Sequence, residues 1–413
     1  MRVFCDAGRL LHDDLFDRQN LRMWSADGRR RSDMLTVFVA KETQPGEARV
    51  AASPDSVKRL LKAGAVVRVQ SGAGEGSMIS DTAFEQAGAS IVADTTAGLD
   101  GASLVVMINP PSVDCAEQLP ERIALVSFVY PTMNPELVEA LRRRRISVFA
   151  MESVPRITRA QKMDALSSQA NLAGYKAVLE AANALKKIFP MMMTAAGTIH
   201  PAKVVVLGAG VAGLQAIATA KRLGAIVEVS DVRPAVKEQV ESLGGKYIDV
   251  PVDDTMESEG GYAKEQSEDF LRKQRAIVRE KIVDADVVIT TAAIPGRPAP
   301  KLVAADVVHE MRPGSVIVDL AVETGGNCKL SRRGEVVVEH GVTIIGRERV
   351  PALVPVNATE VYARNVVNLV GDMVKDGELV FNLEDEVVDS TLVIHDGQLR
   401  GAAAVAAEQG GAT

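Results

Sequence analysis

The sequence predicts an α/β protein of two domains, each built on a parallel sheet and joined by long helices. Short apolar runs alternate with amphipathic runs of helical length from Leu35 to about Ile345. That is the pattern of parallel strands covered by helices on both faces. A long helical pattern, with apolar residues at steps of three or four, separates two such series. The length, 413 residues, suits two or three domains with substantial cores.

Composition narrows the function classes. Hydrophobic residues are 47% and charged ones 24%, the balance of a folded globular chain, which excludes wholesale disorder. The net charge of −7 argues against nucleic acid or an anionic membrane surface as the main partner. Aromatic residues, at 4%, are too few for a base-stacking platform. Cys5, Cys115 and Cys328 lie far apart, no CxxC occurs and the histidines are scattered. Neither a metal site nor a disulfide framework is indicated, and a reducing, cytosolic setting fits. Val204–Ala220 is nearly all apolar but only 17 residues long, short of the roughly 20 a spanning helix needs. Its glycines read instead as a buried strand turning into a packed helix.

Residues 1–33 carry seven Arg, six Asp, no Lys, no Glu and the single Trp24. They lack a signal-type apolar core and are too acidic for a transit peptide. We expect a mobile leader over 1–34, with Met34 a candidate true start. From there, strands are expected at Leu35–Ala40, Val66–Val69, Leu104–Ile108, Ala124–Phe128 and Ser147–Ala150. Helices are expected at Pro54–Ala63, Asp81–Ala87 and Pro135–Arg143. The long helical pattern carries Met163, Leu166, Ala170, Ala173, Ala177, Ala181, Leu185 and Ile188. Thr158 and Gln161 form a capping box to start it, and Pro190 stops it. The second βα series follows, then a helix at Thr359–Lys375 and short strands at Glu378–Phe381 and Thr391–Ile394. The expected domains are 35–165 with 352–395, and 166–351, with a flexible tail at 396–413.

The clearest motif is Gly208-Ala209-Gly210-Val211-Ala212-Gly213. It follows the apolar strand Val204–Leu207 and opens the helix Leu214–Leu223. Gly208 permits the tight turn, Gly210 lets a backbone approach a diphosphate, and Gly213 lets the helix pack on the strand. The helix N-terminus offers N–H groups and a positive dipole end to phosphates. The next strand, Ala225–Val229, ends at Asp231, 23 residues beyond Gly208, near the spacing of the acidic residue that takes the adenosine ribose. These are the marks of a Rossmann-like domain, and Asp231 favours NAD over NADP. Arg233 complicates this, since an Arg nearby can accommodate a 2′-phosphate. Gly72-Ala73-Gly74-Glu75-Gly76 has spaced glycines too, but Glu75 would repel a phosphate, and it reads as a structural turn.

On the long helix, Gln161, Asp164 and Ser167 are spaced by three and would share one face. Asp164, Ser168, Asn171 and Tyr175 continue a polar stripe. Arg, Asp and Ser together could meet the acceptor and two donors of a carboxamide. Spacing alone leaves open whether the stripe holds a ligand or faces water.

A family resemblance resolves that choice. Arg156 to Tyr175, the Gly208–Gln215 loop, Lys237–Gly244, Gly260-Gly261-Tyr262-Ala263-Lys264, Thr290–Gly296 and Val318–Ala321 together resemble the NAD(H)-binding component of proton-translocating nicotinamide nucleotide transhydrogenase. The likeness covers roughly Met34 to Ile394. The pattern departs at Ala293, where a larger Leu stands in the family. The chain resembles the split form, in which this component is a separate polypeptide.

The resemblance implies roles. Arg156, Asp164 and Ser167 would hold the nicotinamide carboxamide, and Gln161 would reach toward the NADP(H) of a partner. Gly208, Gly210, Val211, Ala212, Gly213, Asp231, Val232 and Arg233 would line the bound NAD(H). Tyr262 would sit on a loop that closes over the nucleotide. Thr291, Ala292, Asp319 and Leu320 would stand at strand ends facing it. The reaction implied is direct hydride transfer from NADH to NADP+ held on the beta-subunit component, coupled to proton translocation by membrane-spanning components. A homodimer, peripheral on the cytoplasmic side of a bacterial inner membrane, is implied as well.

Two other readings compete. Alanine dehydrogenase shares a Pro-Gly-Glu segment with a nearby Arg, here Pro45-Gly46-Glu47 and Arg49. Its keto-acid site needs a Lys and a His, however. Val106–Pro111 has no Lys and Ser127–Pro131 has no His, so the carbonyl lacks a proton donor. A non-catalytic NAD-sensing module would have no use for the Arg156/Gln161/Asp164/Ser167 set.

Overall fold

The computed structural model describes residues 35–249, 268–293, 298–375, 377–401 and 403–404. The leader, the Gly260-Gly261-Tyr262 segment and Ile294-Pro295-Gly296 lie outside the described residues. Contacts divide the chain into two compact units, the first up to Leu166 and again from Pro355, the second Ser167–Val354.

The first unit opens with β1 (Thr36–Val39), β2 (Val66–Gln70), β3 (Ser90–Val92), β4 (Leu104–Val106), β5 (Ala124–Ser127) and β6 (Ser147–Ala150). All pair in parallel. Both faces are buried, so alternate residues enter different cores. Val37 and Val39 pack with Val67, Val106 and the helix Pro355–Met373, while Phe38 packs with Val105, Leu125 and Val148 on the other face. The helix Pro54–Lys62 starts on a true capping box, Ser53 with Ser56, and has Pro at its first turn.

In the second unit, β7 (Met192–Thr194) and β8 (Gly197–Ile199) form a separate antiparallel hairpin that the sequence pattern does not reveal. The remaining strands are β9 (Lys203–Leu207), β10 (Ile226–Ser230), β11 (Lys246–Tyr247), β12 (Val287–Thr290), β13 (Val316–Asp319), β14 (Val336–Glu339) and β15 (Val342–Ile345). They build one sheet in the order β11-β10-β9-β12-β13-β15-β14, parallel except for β14. The order reverses between β9 and β12, the position where open α/β sheets take ligands at their carboxyl ends. The apolar stretch at Val204 resolves into β9 and the helix Val211–Arg222. Among the described residues, no helix is long and apolar enough to cross a membrane.

The chain then returns to the first unit with β16 (Val374–Lys375), β17 (Glu378–Leu379), β18 (Leu392–His395) and β19 (Gln398–Leu399). The first unit's sheet runs β19-β18-β6-β5-β4-β1-β2-β3. The tail expected to be flexible from 396 is therefore folded over its first part. Asp396 and Gly397 turn the β18–β19 hairpin, and Ala403 is buried against the sheet.

The long helix is not continuous from Thr158. Thr158–Met163 is a 3-10 helix preceded by Ile157, with no capping side chain, and the α-helix is Ala165–Ala184. The expected Thr158–Gln161 capping box is absent, and the helix stops short of Pro190. The cause is tertiary. Ala160 and Met163 are fully buried in the first unit's core. The Lys162 carbonyl accepts amide hydrogens from Asn365 and Asn368, both at 2.9 Å. A straight α-helix would need that carbonyl for the N–H four residues on. Asp164, at ψ 88, makes the break.

Gly72–Gly76 is a tightly packed turn, as its composition suggests. Gly72 N–H donates to Asp81, and a Cβ on Gly74 or Gly76 would lie 2.5 Å from a backbone oxygen.

Candidate nucleotide site

The site at the β9/β12 reversal is built by close constraints on the backbone. Gly208 leaves β9 at φ +103, a conformation that favours glycine. Its carbonyl accepts the Thr291 hydroxyl at 3.0 Å, and Thr291 N–H donates to the Leu207 carbonyl at 2.9 Å. Thr291 thus ties the end of β12 to the turn. Gly213 packs so closely that a Cβ there would lie 1.9 Å from the Gly208 oxygen. Gly174, on the helix Ala165–Ala184, meets the Ala212 carbonyl in the same way.

Gly210 is different. Its dihedrals, φ −76 and ψ −169, suit any residue, and a Cβ would meet nothing within 4 Å. Among the described residues, nothing requires glycine there. The open space lies at the start of a twelve-residue helix with no capping side chain, so a diphosphate fits: its approach needs the missing Cβ and its charge suits the helix terminus. Val211 is partly exposed beside it.

Asp231, at the end of β10, is buried and fully engaged. Its Oδ2 accepts Ala209 N–H at 2.7 Å and Arg233 Nη2 at 3.0 Å. Its Oδ1 accepts Arg233 N–H at 2.8 Å and Nε at 3.0 Å. Burial works to raise the carboxyl pKa, but the Arg233 guanidinium and the two backbone N–H groups hold it below the usual carboxylate range. Tyr247, for which local sequence offers no signal, donates its hydroxyl to the Asp231 carbonyl at 2.6 Å. Val232, next along the chain from Asp231, is exposed.

Asp319 departs from its expected outward role. It is 1% exposed. Oδ1 accepts Thr290 Oγ1 and the N–H groups of Ala321 and Asn327, and Oδ2 accepts Cys328 N–H and Ser331 Oγ. The carboxylate folds its own loop rather than facing a ligand. Leu320 N–H donates to Thr290 O at 3.0 Å, holding the two strand ends together. Asn327, fully buried, braces Ala292 by accepting its N–H at 3.1 Å and donating to its carbonyl at 2.8 Å. Sequence reasoning does not single out Asn327. Its one signal is the Gly325-Gly326 pair before it, both at positive φ. Tyr262 lies outside the described residues.

In the first unit, Arg156 and Gln161 are exposed on the segment around the 3-10 helix, and Asp164 is half-buried at its end. Gln161 and Asp164 therefore do not share one α-helical face with Ser167, which begins the second unit on the helix Ala165–Ala184. Asn365 and Asn368, which sequence reasoning also passes over, pin this segment through Lys162.

The first unit's own strand ends hold a buried ionic cluster. The Arg49 guanidinium forks onto Glu47, at 2.8 Å from Nε and 2.6 Å from Nη2, with Arg49 5% exposed. Glu47 also accepts Asn109 Nδ2 at 2.9 Å, and Glu42 accepts the Ile108 and Asn109 N–H groups. Burial raises the Glu42 pKa, whereas Arg49 outweighs burial at Glu47 and lowers it. Burial also pushes Glu152, which accepts the Val129 and Tyr130 N–H groups, up to about 7.

Comparison with known proteins shows the family of the chain. The alanine dehydrogenase/PNT N-terminal domain matches residues 38–173 and the C-terminal domain of the same family matches 177–402. An NAD(P) transhydrogenase subunit alpha chain of Rhodospirillum rubrum is 50% identical over 378 residues, covering 88% of this chain and 97% of that one. A crystal structure of transhydrogenase from Sinorhizobium meliloti superposes with TM-score 0.78 at 44% identity, covering 89% of this chain and 99% of that one. Alanine dehydrogenase of Bacillus subtilis is more distant, 28% identical, covering 81% of this chain and 86% of that one. The chain belongs to the alanine dehydrogenase/PNT family, among its NAD(P) transhydrogenase alpha-subunit members.

Proposed function

We propose that the chain is the NAD(H)-binding component of a proton-translocating transhydrogenase, working with an NADP(H)-binding partner component of the beta subunit and with membrane-spanning components. The observation that carries this reading is Gly210: open space at an uncapped helix start, beside a buried acidic strand end. When bound, NADH supplies the hydride that passes to NADP+ on the partner. In this reading Gly208, Gly210, Val211, Ala212 and Gly213 cradle the diphosphate. Asp231, Val232 and Arg233 frame the adenosine, and Thr291, Ala292 and Leu320 line the strand ends. Arg156, Asp164 and Ser167 hold the carboxamide, and Gln161 reaches the junction with the partner's nucleotide. Asp319 serves by shaping its loop. These residues bind, orient and exclude water.

The arrangement belongs on the cytoplasmic side of a bacterial inner membrane, docked to its membrane components. We place a homodimer interface at the β7–β8 hairpin, where Met191, Met192, Met193 and Ile199 are all exposed, an apolar surface that a second copy would cover.

A transhydrogenation assay with the NADP(H)-binding component tests the reading. The chain alone should turn over little, and the mixture should transfer hydride. Gln161→Asn should slow transfer and leave NADH affinity nearly unchanged, while Arg156→Ala and Asp164→Asn should weaken both. The alanine dehydrogenase reading requires alanine oxidation by NAD+ without a partner. The absence of a Lys from Val106–Pro111 and of a His from Ser127–Pro131 weighs against a keto-acid site. Observed alanine turnover at a dehydrogenase rate would replace the transhydrogenase assignment.

A further inference from the structure

The Asp231 carboxylate has no acceptor position to spare. A carboxylate offers about four lone-pair sites, and four donors occupy them: the N–H groups of Ala209 and Arg233, and Nε and Nη2 of the Arg233 side chain. A ribose diol placed on this carboxylate needs two of those sites. The backbone donors are fixed by the turn and by the chain itself. The guanidinium is not: its side chain is 57% exposed, while the Asp231 side chain is 6% exposed.

We propose that Arg233 is a built-in competitor for the adenosine ribose, its fork filling in the nucleotide-free chain the acceptor sites that the ribose hydroxyls require. The inference rests on the nucleotide reading above. The fork must swing outward for NAD(H) to seat; the exposed guanidinium regains water as it leaves, and the ribose hydroxyls take over its two hydrogen bonds to the buried carboxylate. Until then it neutralises Asp231, so the buried carboxylate is never left uncompensated. Apparent affinity is reduced by the fraction of molecules whose fork is closed. Arg233 is then also a specificity-determining residue. Freed from Asp231, its guanidinium is the group that would meet a 2′-phosphate, so it narrows the preference for NADH over NADPH that Asp231 alone would impose.

Calorimetry of wild type, Arg233→Met and Arg233→Lys with ADP and 2′,3′-dideoxy-ADP tests this. Comparing the two ligands cancels the attraction of Arg233 for the diphosphate. The preference for the diol should rise about three- to tenfold in Arg233→Met, with Arg233→Lys between, because an ammonium cannot fork. The NADH-over-NADPH preference should widen in Arg233→Met as well. A diol preference that is unchanged or smaller overturns the proposal. Failure of all three proteins to bind ADP and NADH would instead overturn the nucleotide reading, and the ribose role with it. Nitrogen-15 NMR supplies a readout independent of affinity. The Arg233 Nε–H signal should be protected in the free chain, absent from that position in Asp231→Asn, and shifted by ADP but not by the dideoxy analogue. A signal indifferent to ADP binding also overturns it.

Discussion

A Cβ placed on Gly174, within the helix Ala165–Ala184, would stand 2.0 Å from the carbonyl oxygen of Ala212. The backbones of this helix and of the nucleotide turn are in direct contact. Gly174→Ala must therefore push the turn away from its position. We expect a loss of about 1–3 kcal/mol in urea unfolding, together with weaker NADH binding. Wild-type stability and affinity in this variant would mean that the two backbones are not in contact in solution.

Gly210→Ala separates folding from binding. The new methyl enters open space with dihedrals that alanine adopts freely, so stability should stay within about 0.5 kcal/mol of wild type. NADH affinity should fall by about tenfold or more, since the methyl occupies the approach of the diphosphate. Gly213→Ala should do the reverse of this separation and destabilise the fold, because its Cβ would collide with the Gly208 oxygen. Thermal unfolding and NADH fluorescence titration of the two variants decide the matter.

Asp319→Asn tests the loop assignment. The carboxylate accepts five hydrogen bonds, including those from Cys328 N–H and Ser331 Oγ. An amide presents an NH2 group to donors on one side and leaves them buried without an acceptor. We expect a cost of roughly 2–3 kcal/mol in denaturant unfolding, larger than a ligand-facing aspartate would show. A neutral substitution with lost NADH binding would return Asp319 to the ligand.

Glu152 makes stability depend on pH. Burial holds its pKa near 7, above the ordinary glutamate value. Between those two values the folded chain keeps a proton that the unfolded chain has released. Its contribution to stability is full below that window and is lost as pH rises through about 7. Glu152→Gln carries no such proton. Relative to wild type, the variant should therefore gain melting temperature as pH is raised from about 5 to about 8. A difference in melting temperature that stays flat across this range would show that Glu152 is ionised throughout.

Much of the molecule is legible in local sequence. The helix Pro135–Arg143 and the strand Ser147–Ala150 lie where the apolar periodicity and the proline put them. The turn at Gly208 follows from chemistry carried by a few neighbouring residues: a positive φ, a missing Cβ and an acidic residue at the end of the next strand. Such features depend on backbone sterics and short-range periodicity, which contiguous residues encode completely.

Other features were decided only in the folded chain. Asn365 captures the carbonyl of Lys162 across 203 positions, and the helix that the 3.6-residue pattern extends back to Thr158 breaks at Asp164 instead. Asp319 looks, in sequence, like any acidic strand end, yet its loop folds back and saturates it. Asp231 stands where the fingerprint requires, but the fork on it depends on how the chain turns after β10. In each case a periodic or spaced pattern states which groups are available, and hydrogen-bond competition in the folded chain determines which partner takes them.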